Sequence, residues 1–167
     1  MPIIDDSGFR ADAWRRWNSE TAAAGDPEAV ILPLDRVQAD EATWPAARRI
    51  GVDLPNDADA AVLAPVLARL SLIAVAFPGF ADGRGFSLAR RLRRMGYAKT
   101  LRASGHLIAD QYAFARAAGF DEVEIDEALA RRQPEAQWHR AARSMSLSYQ
   151  RGFDGPRNIL EARRGAV

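Results

Sequence analysis

Short apolar runs, each followed by a turn and then a helical stripe, recur through the middle of this chain and restrict it to an α/β fold. The clearest unit begins at Leu72-Ile73-Ala74-Val75-Ala76 and passes through the glycine-rich turn Phe77-Pro78-Gly79-Phe80-Ala81-Asp82-Gly83-Arg84-Gly85. It then enters a helical stretch over 86–95 whose apolar positions are Leu88, Leu92 and Met95. Gly96 is placed to close that helix as a left-handed cap. Strand, turn and helix are legible in one continuous reading.

The same order extends in both directions. Ala29 to Leu34 has the length and branched residues of a buried strand, and Gly51-Val52-Asp53-Leu54-Pro55 of a second. A helical pattern over 36–49 is interrupted at Trp44-Pro45. Residues 58–70 carry the stripe Val62, Leu63, Val66, Leu67, Leu70, which predicts a helix with a kink or short first segment at Pro65. Tyr97 to Ala103 reads as another strand, and Leu107 to Ala118 as a helix closed by Gly119. Glu122-Val123-Glu124-Ile125 alternates as an edge strand would. Asp126 caps a last helix to Met145, with a break at Gln133-Pro134.

This alternation predicts a small open parallel sheet of about five strands with helices on both faces, a three-layer α/β domain. Five strands are too few for an eight-stranded barrel. Residues 1–28 form a strand-bearing lead and linker, 29–149 the single domain, and 150–167 an extended or mobile tail.

Composition removes several functions. Of 167 residues none is cysteine and two are histidine, His106 and His139. A disulfide, a catalytic thiol, a cysteine-bound zinc and a thiolate-held cluster are therefore out of reach, and no protein-built metal site is expected. Redox chemistry would need a bound organic cofactor or a partner. No cofactor is evident, and a flavin or nicotinamide nucleotide stays open. The net charge of +1 argues against nucleic acid. No apolar run approaches the ~20 residues of a membrane span, and the N-terminus lacks a secretory pattern, so a cytoplasmic protein is expected.

Two turns lead to the same sheet edge on this reading, 78–87 and 103–110. They gather Asp82, Gly83, Arg84, Gly85, Ser87, Arg102, Ser104, Asp110 and Gln111 as ligand-binding candidates. The glycines would admit a ligand to the backbone, and Arg84 could clamp an oxyanion in bidentate fashion. The same residues equally suit a plain turn, with Arg84 paired to Asp82 or Asp110 and Asp82 or Ser87 as helix cap. The glycine spacing is neither a dinucleotide fingerprint nor a P-loop. No residue is identified as catalytic, so whether the chain is an enzyme stays open. The helix at 86–95 adds Arg90, Arg91, Arg93 and Arg94, a solvated face or a docking face for an acidic partner.

The run Phe77-Pro78, Phe80, Asp82-Gly83-Arg84-Gly85-Phe86-Ser87, Ala89-Arg90, Leu92-Arg93, followed by Leu101-Arg102-Ala103, Gly105 and Asp110-Gln111, resembles the bacterial domain-of-unknown-function family 934. Members tend to be encoded beside assimilatory sulfite reductase and are loosely labelled oxidoreductases. The resemblance therefore implies an accessory of sulfate and sulfite reduction, with sulfite reductase or its electron donor as partner. The alternative is a small-ligand-binding oxidoreductase or oxyanion-binding enzyme using the turn at 78–87. Members often carry a cysteine before Gly119-Phe120-Asp121, where this chain has Ala118.

Overall fold

A computed structural model of the protein describes residues 1–23, 27–39 and 41–144. The expected tail at 150–167 lies outside them. The strands are β1 (Pro2–Asp5), β2 (Gly8–Ala11), β3 (Arg15–Arg16), β4 (Ala29–Pro33), β5 (Arg49–Leu54), β6 (Leu72–Phe77), β7 (Thr100–Gly105) and β8 (Glu122–Glu124). They form one sheet in the order β2-β1-β8-β7-β6-β5-β4-β3. From β3 to β8 all neighbours are parallel, whereas β1 runs antiparallel to both β8 and β2.

The sheet is therefore mixed and eight-stranded rather than parallel with five strands. The extra strands are short and only weakly apolar, and β3 has just two residues. Residues 122–125 do not form an edge either: Ile3 and Ile4 pair with Glu124 and Val123 and cover that side.

Because the parallel strands follow chain order, every right-handed crossover steps in one direction and leaves its helix on one face. That replaces the expected three layers by two. Val30, Val52, Ile73, Val75, Leu101, Ala103 and Val123 pack in a single core with Leu88, Leu92, Tyr112 and Trp138 of the helices. On the opposite face, among the described residues, Ile31, Leu72 and Ala74 form a second small cluster, covered by Trp14.

The opposite face is concave. The sheet's two edges, β2 and β3, are joined by Asp12, Ala13 and Trp14 alone. Four Cα steps of ~3.8 Å reach at most about 15 Å. A flat sheet of this width would hold its edges about 34 Å apart, at ~4.8 Å per strand spacing. The sheet must curl until its edges approach, and they do so without pairing.

The helices are α1 (Ser19–Ala23), α2 (Leu34–Gln38), α3 (Arg84–Arg94), α4 (Ala109–Ala118), α5 (Glu127–Arg132) and α6 (Glu135–Ser144). Gly96 and Gly119 close α3 and α4 with φ of +91° and +108°, and the break at Gln133-Pro134 separates α5 from α6. The helix expected over 58–70 is instead a 3-10 turn at Ala60–Leu63 followed by further turns bonded i to i+3. The proline ring at 65 opposes an α-helical ladder there, while Leu63 and Leu70 still reach the core. Among the described residues no helix is long and apolar enough to cross a membrane.

Candidate functional site

Residues alternating with the core positions of β5, β7 and β8 point into the curl, and most are charged. Arg102 on β7 is fully buried and binds Asp12 through both terminal nitrogens, at 2.8 and 2.9 Å. Its Nε donates to Glu122 at 2.7 Å, and Nη1 lies 3.4 Å from Glu124. Arg16 on β3 donates to Asp53 at 3.0 Å, to Glu124 at 2.5 and 2.8 Å, and to Ser104 at 3.0 Å. Arg10 reaches Glu122 and Asp5. Three guanidinium groups thus face five carboxylates, and this network is net acidic.

Burial pulls the two ends of this network in different directions. It pushes the Glu124 carboxyl upward, but the Arg16 hydrogen bonds, the Arg16 and Arg102 charges and the Ser104 hydroxyl outweigh it, so Glu124 titrates below its ordinary range. At Asp53 burial prevails over Arg16, with Glu124 adding repulsion, and the pKa rises. Burial would lower the Arg102 pKa, yet Asp12 and Glu122 hold it above the ordinary value.

Above the network the curl opens at the carboxyl ends of its strands, where ligands bind in parallel α/β sheets. A cleft of about 850 Å³ lies there, and its lining includes Arg16, Asp53 and Ser104 together with Leu34, Leu54 and Ala76. A second cleft of about 720 Å³ adjoins it across Arg16 and is lined by Asp12, Trp14 and Glu124. Both volumes suit a small organic molecule. Asp53 retains a 37 % exposed side chain there and has the raised pKa of a proton donor or acceptor. Arg16 orients it.

The candidates from the two turns do not meet in one place. Arg102 and Ser104 belong to the concave network. Arg84 grips Asp82 at 3.0 and 2.6 Å with a 59 % exposed side chain, and holds the Asp82 carboxyl well below its usual range. Arg84 and Ser87 border a separate groove of about 610 Å³ with Asn56, Arg91 and Arg94. Asp110 lines another beside Pro134 and Arg140. Gln111 donates to the Phe80 carbonyl at 2.7 Å, tying turn to helix.

Close packing accounts for the key glycine: a Cβ on Gly85 would lie 2.5 Å from the Phe77 ring, while one on Gly83 would meet nothing nearer than 3.9 Å. His106 is exposed, and His139 lies 3.4 Å from Glu135 along α6.

The arginine helix also divides. Arg93 is half-buried and binds the carbonyls of Gly119, Tyr97 and Lys99, at 2.9, 2.7 and 2.9 Å, and the Asp121 carboxylate at 2.6 Å. Arg90 lies over the Phe114 ring, Arg91 reaches Asp59 at 3.3 Å, and Arg94 is exposed.

Asp12, Arg16 and Asp53 are the site residues that sequence reasoning passed over. The signal was present in part, since Asp53 interrupts an apolar strand and Arg102 sits inside another. A charge at a core position needs a partner. Nothing in the sequence says that the partners of Arg102 and Asp53 come from the first sixteen residues.

No curated protein matches this sequence. A family model described as "Bacterial protein of unknown function (DUF934)" matches residues 51–160. That segment supplies most of β5 and all of β6 to β8, and with them Asp53, Arg102, Ser104, Glu122 and Glu124, whereas Asp12 and Arg16 precede it. With about two thirds of its length matched, the chain belongs to the DUF934 family of bacterial proteins of unknown function.

Proposed function

We propose that the chain is a ligand-binding accessory protein of assimilatory sulfite reduction whose ligand sits in the mouth of the curled sheet. One observation carries the ligand part. Asp53, Arg16 and Ser104 converge at the carboxyl ends of the strands, in a cleft whose lining also includes Pro33, Leu34, Pro55 and Ala76. A few convergent polar groups in an apolar cleft are the usual makeup of a small-molecule site.

The process is supported by the resemblance, since members of the family tend to be encoded beside sulfite reductase. A chain with no cysteine cannot hold a thiolate-bound cluster, which suits an assistant to the reductase or its electron donor. The exposed Arg90, Arg91 and Arg94 are the docking residues of this proposal, with Arg93 holding their helix in place. Such a cytoplasmic partner would present an acidic surface.

A deletion strain tests the process. The expected result is failure to grow on sulfate or sulfite as sole sulfur source, with growth restored by cysteine. Normal growth on sulfite would remove the protein from this step.

A further inference from the structure

Among the described residues the mouth cleft is lined by one side-chain cation, and that cation is already engaged. Arg16 donates to Asp53, Glu124 and Ser104 through all three of its nitrogens. An anion entering the cleft meets no other basic side chain among its lining residues. It meets two carboxylates instead. Asp53 is partly exposed, and Asp35, in the first turn of α2, is exposed with no ion-pair partner among the described residues. Behind them the net acidic network adds to the negative potential. Apart from Ser104 and Gln38 the remaining lining, Met1, Pro33, Leu34, Leu54, Pro55 and Ala76, has apolar side chains.

We propose that the ligand of this mouth is a small organic amine, its ammonium group against Asp53 and Asp35 and its apolar body against Pro33, Leu34, Pro55 and Ala76. This rests on the reading of the mouth as the ligand seat and names the ligand's chemistry. An ammonium group supplies the cation that Asp35 has no partner for among the described residues, and a further donor to Asp53 beside Arg16, in charge-assisted hydrogen bonds. It also relieves a cost already present. Burial and the neighbouring Glu124 both disfavour an ionised Asp53, and a cation beside it restores the balance. A metal ion is the weaker candidate, because no group of three or more acidic or histidine side chains among the described residues is placed to hold one.

Three probes with the same body and different charge test this: 2-phenylethylammonium, 2-phenylethanol and 3-phenylpropanoate, each titrated into the 15N-labelled full chain. The expected result is saturable binding of the ammonium probe, with amide shifts centred on Asp53, Leu54, Ala76 and Ser104. The alcohol and carboxylate should bind at least about ten-fold more weakly. Asp53→Asn should weaken the ammonium probe about ten-fold and leave the alcohol unchanged. Should that variant fail to fold, Asp35→Asn, a change at an exposed site, should weaken the same probe while preserving the native spectrum. Equal or tighter binding of the alcohol or carboxylate at these residues overturns the amine but leaves the seat. Shifts from all three probes confined to other surfaces overturn both.

Discussion

Arg102 and Asp12 are joined by two parallel hydrogen bonds of 2.8 and 2.9 Å, which fasten the middle of the sheet to the short segment linking its edges. The pair spans the concave face, so it holds the curl as well as the strand. Asp12 takes its charge compensation from this guanidinium, whereas Glu122 shares it with Arg10 and Glu124 with Arg16. Arg102→Leu should therefore destabilise the protein by about 3–5 kcal/mol, the usual cost of stranding buried partners. Arg102→Lys should recover little, because an ammonium cannot make the bidentate bond. Urea unfolding monitored by circular dichroism reads both. A loss below about 1 kcal/mol for the leucine variant would mean the network is not holding the curl.

Gly105 and Gly79 should respond differently to alanine. Gly105 has φ of +118°, and a Cβ there would lie 2.5 Å from the Phe77 carbonyl oxygen. Gly79 has open space and no such backbone constraint. Gly105→Ala should cost at least about 1–3 kcal/mol, and Gly79→Ala should leave the melting temperature unchanged. Thermal unfolding of the two variants checks the difference.

Arg93 and Arg84, both arginines of α3, should also part company. Arg93 is tied to three backbone carbonyls and Asp121, so Arg93→Ala should cost about 1–3 kcal/mol. Arg84, its side chain mostly exposed, pairs with its near neighbour Asp82, and Arg84→Ala should leave the unfolding midpoint where it was. A marked loss at Arg84 would show that the turn carries more of the fold than its exposure implies.

Acid should weaken the concave face through Glu124. Its pKa in the folded protein lies below its ordinary 4.5, so its ionised form stabilises the fold above that pH. The contribution is lost as pH falls through the lowered value. Asp53 has the opposite sign: its raised pKa favours the fold below 3.8, and that benefit disappears as pH rises through the raised value. Urea midpoints measured between about pH 3 and pH 7 should fall more steeply on the acid side for the parent protein than for Glu124→Gln. Parallel curves would contradict the assignment.

The strands and helices from residue 71 to 144 follow the sequence closely because each carries its own periodicity and its own stop, as Gly96 and Gly119 do for α3 and α4. The curl did not emerge from such local signals. It depends on Ile3 and Ile4 pairing with Val123 and Glu124 across most of the chain, and on the three residues between β2 and β3. For the same reason Glu122 and Glu124 suggested a solvated edge, when their alternating face is buried against arginines from distant positions. Ser104 was found because its turn was suspected. Asp53 and Arg16 were missed because only the folded sheet brings them together.

Blocking the mouth tests the central claim most directly. Ala76 is exposed at the cleft and pairs in register with Ser104, so Ala76→Trp fills the mouth without removing a member of the ion network. The measurement is growth of the deletion strain on sulfate as sole sulfur source, complemented by this variant or by Arg84→Ala. The account predicts that Ala76→Trp accumulates as folded protein and fails to restore growth, while Arg84→Ala restores it. Full growth with the mouth blocked would contradict the account.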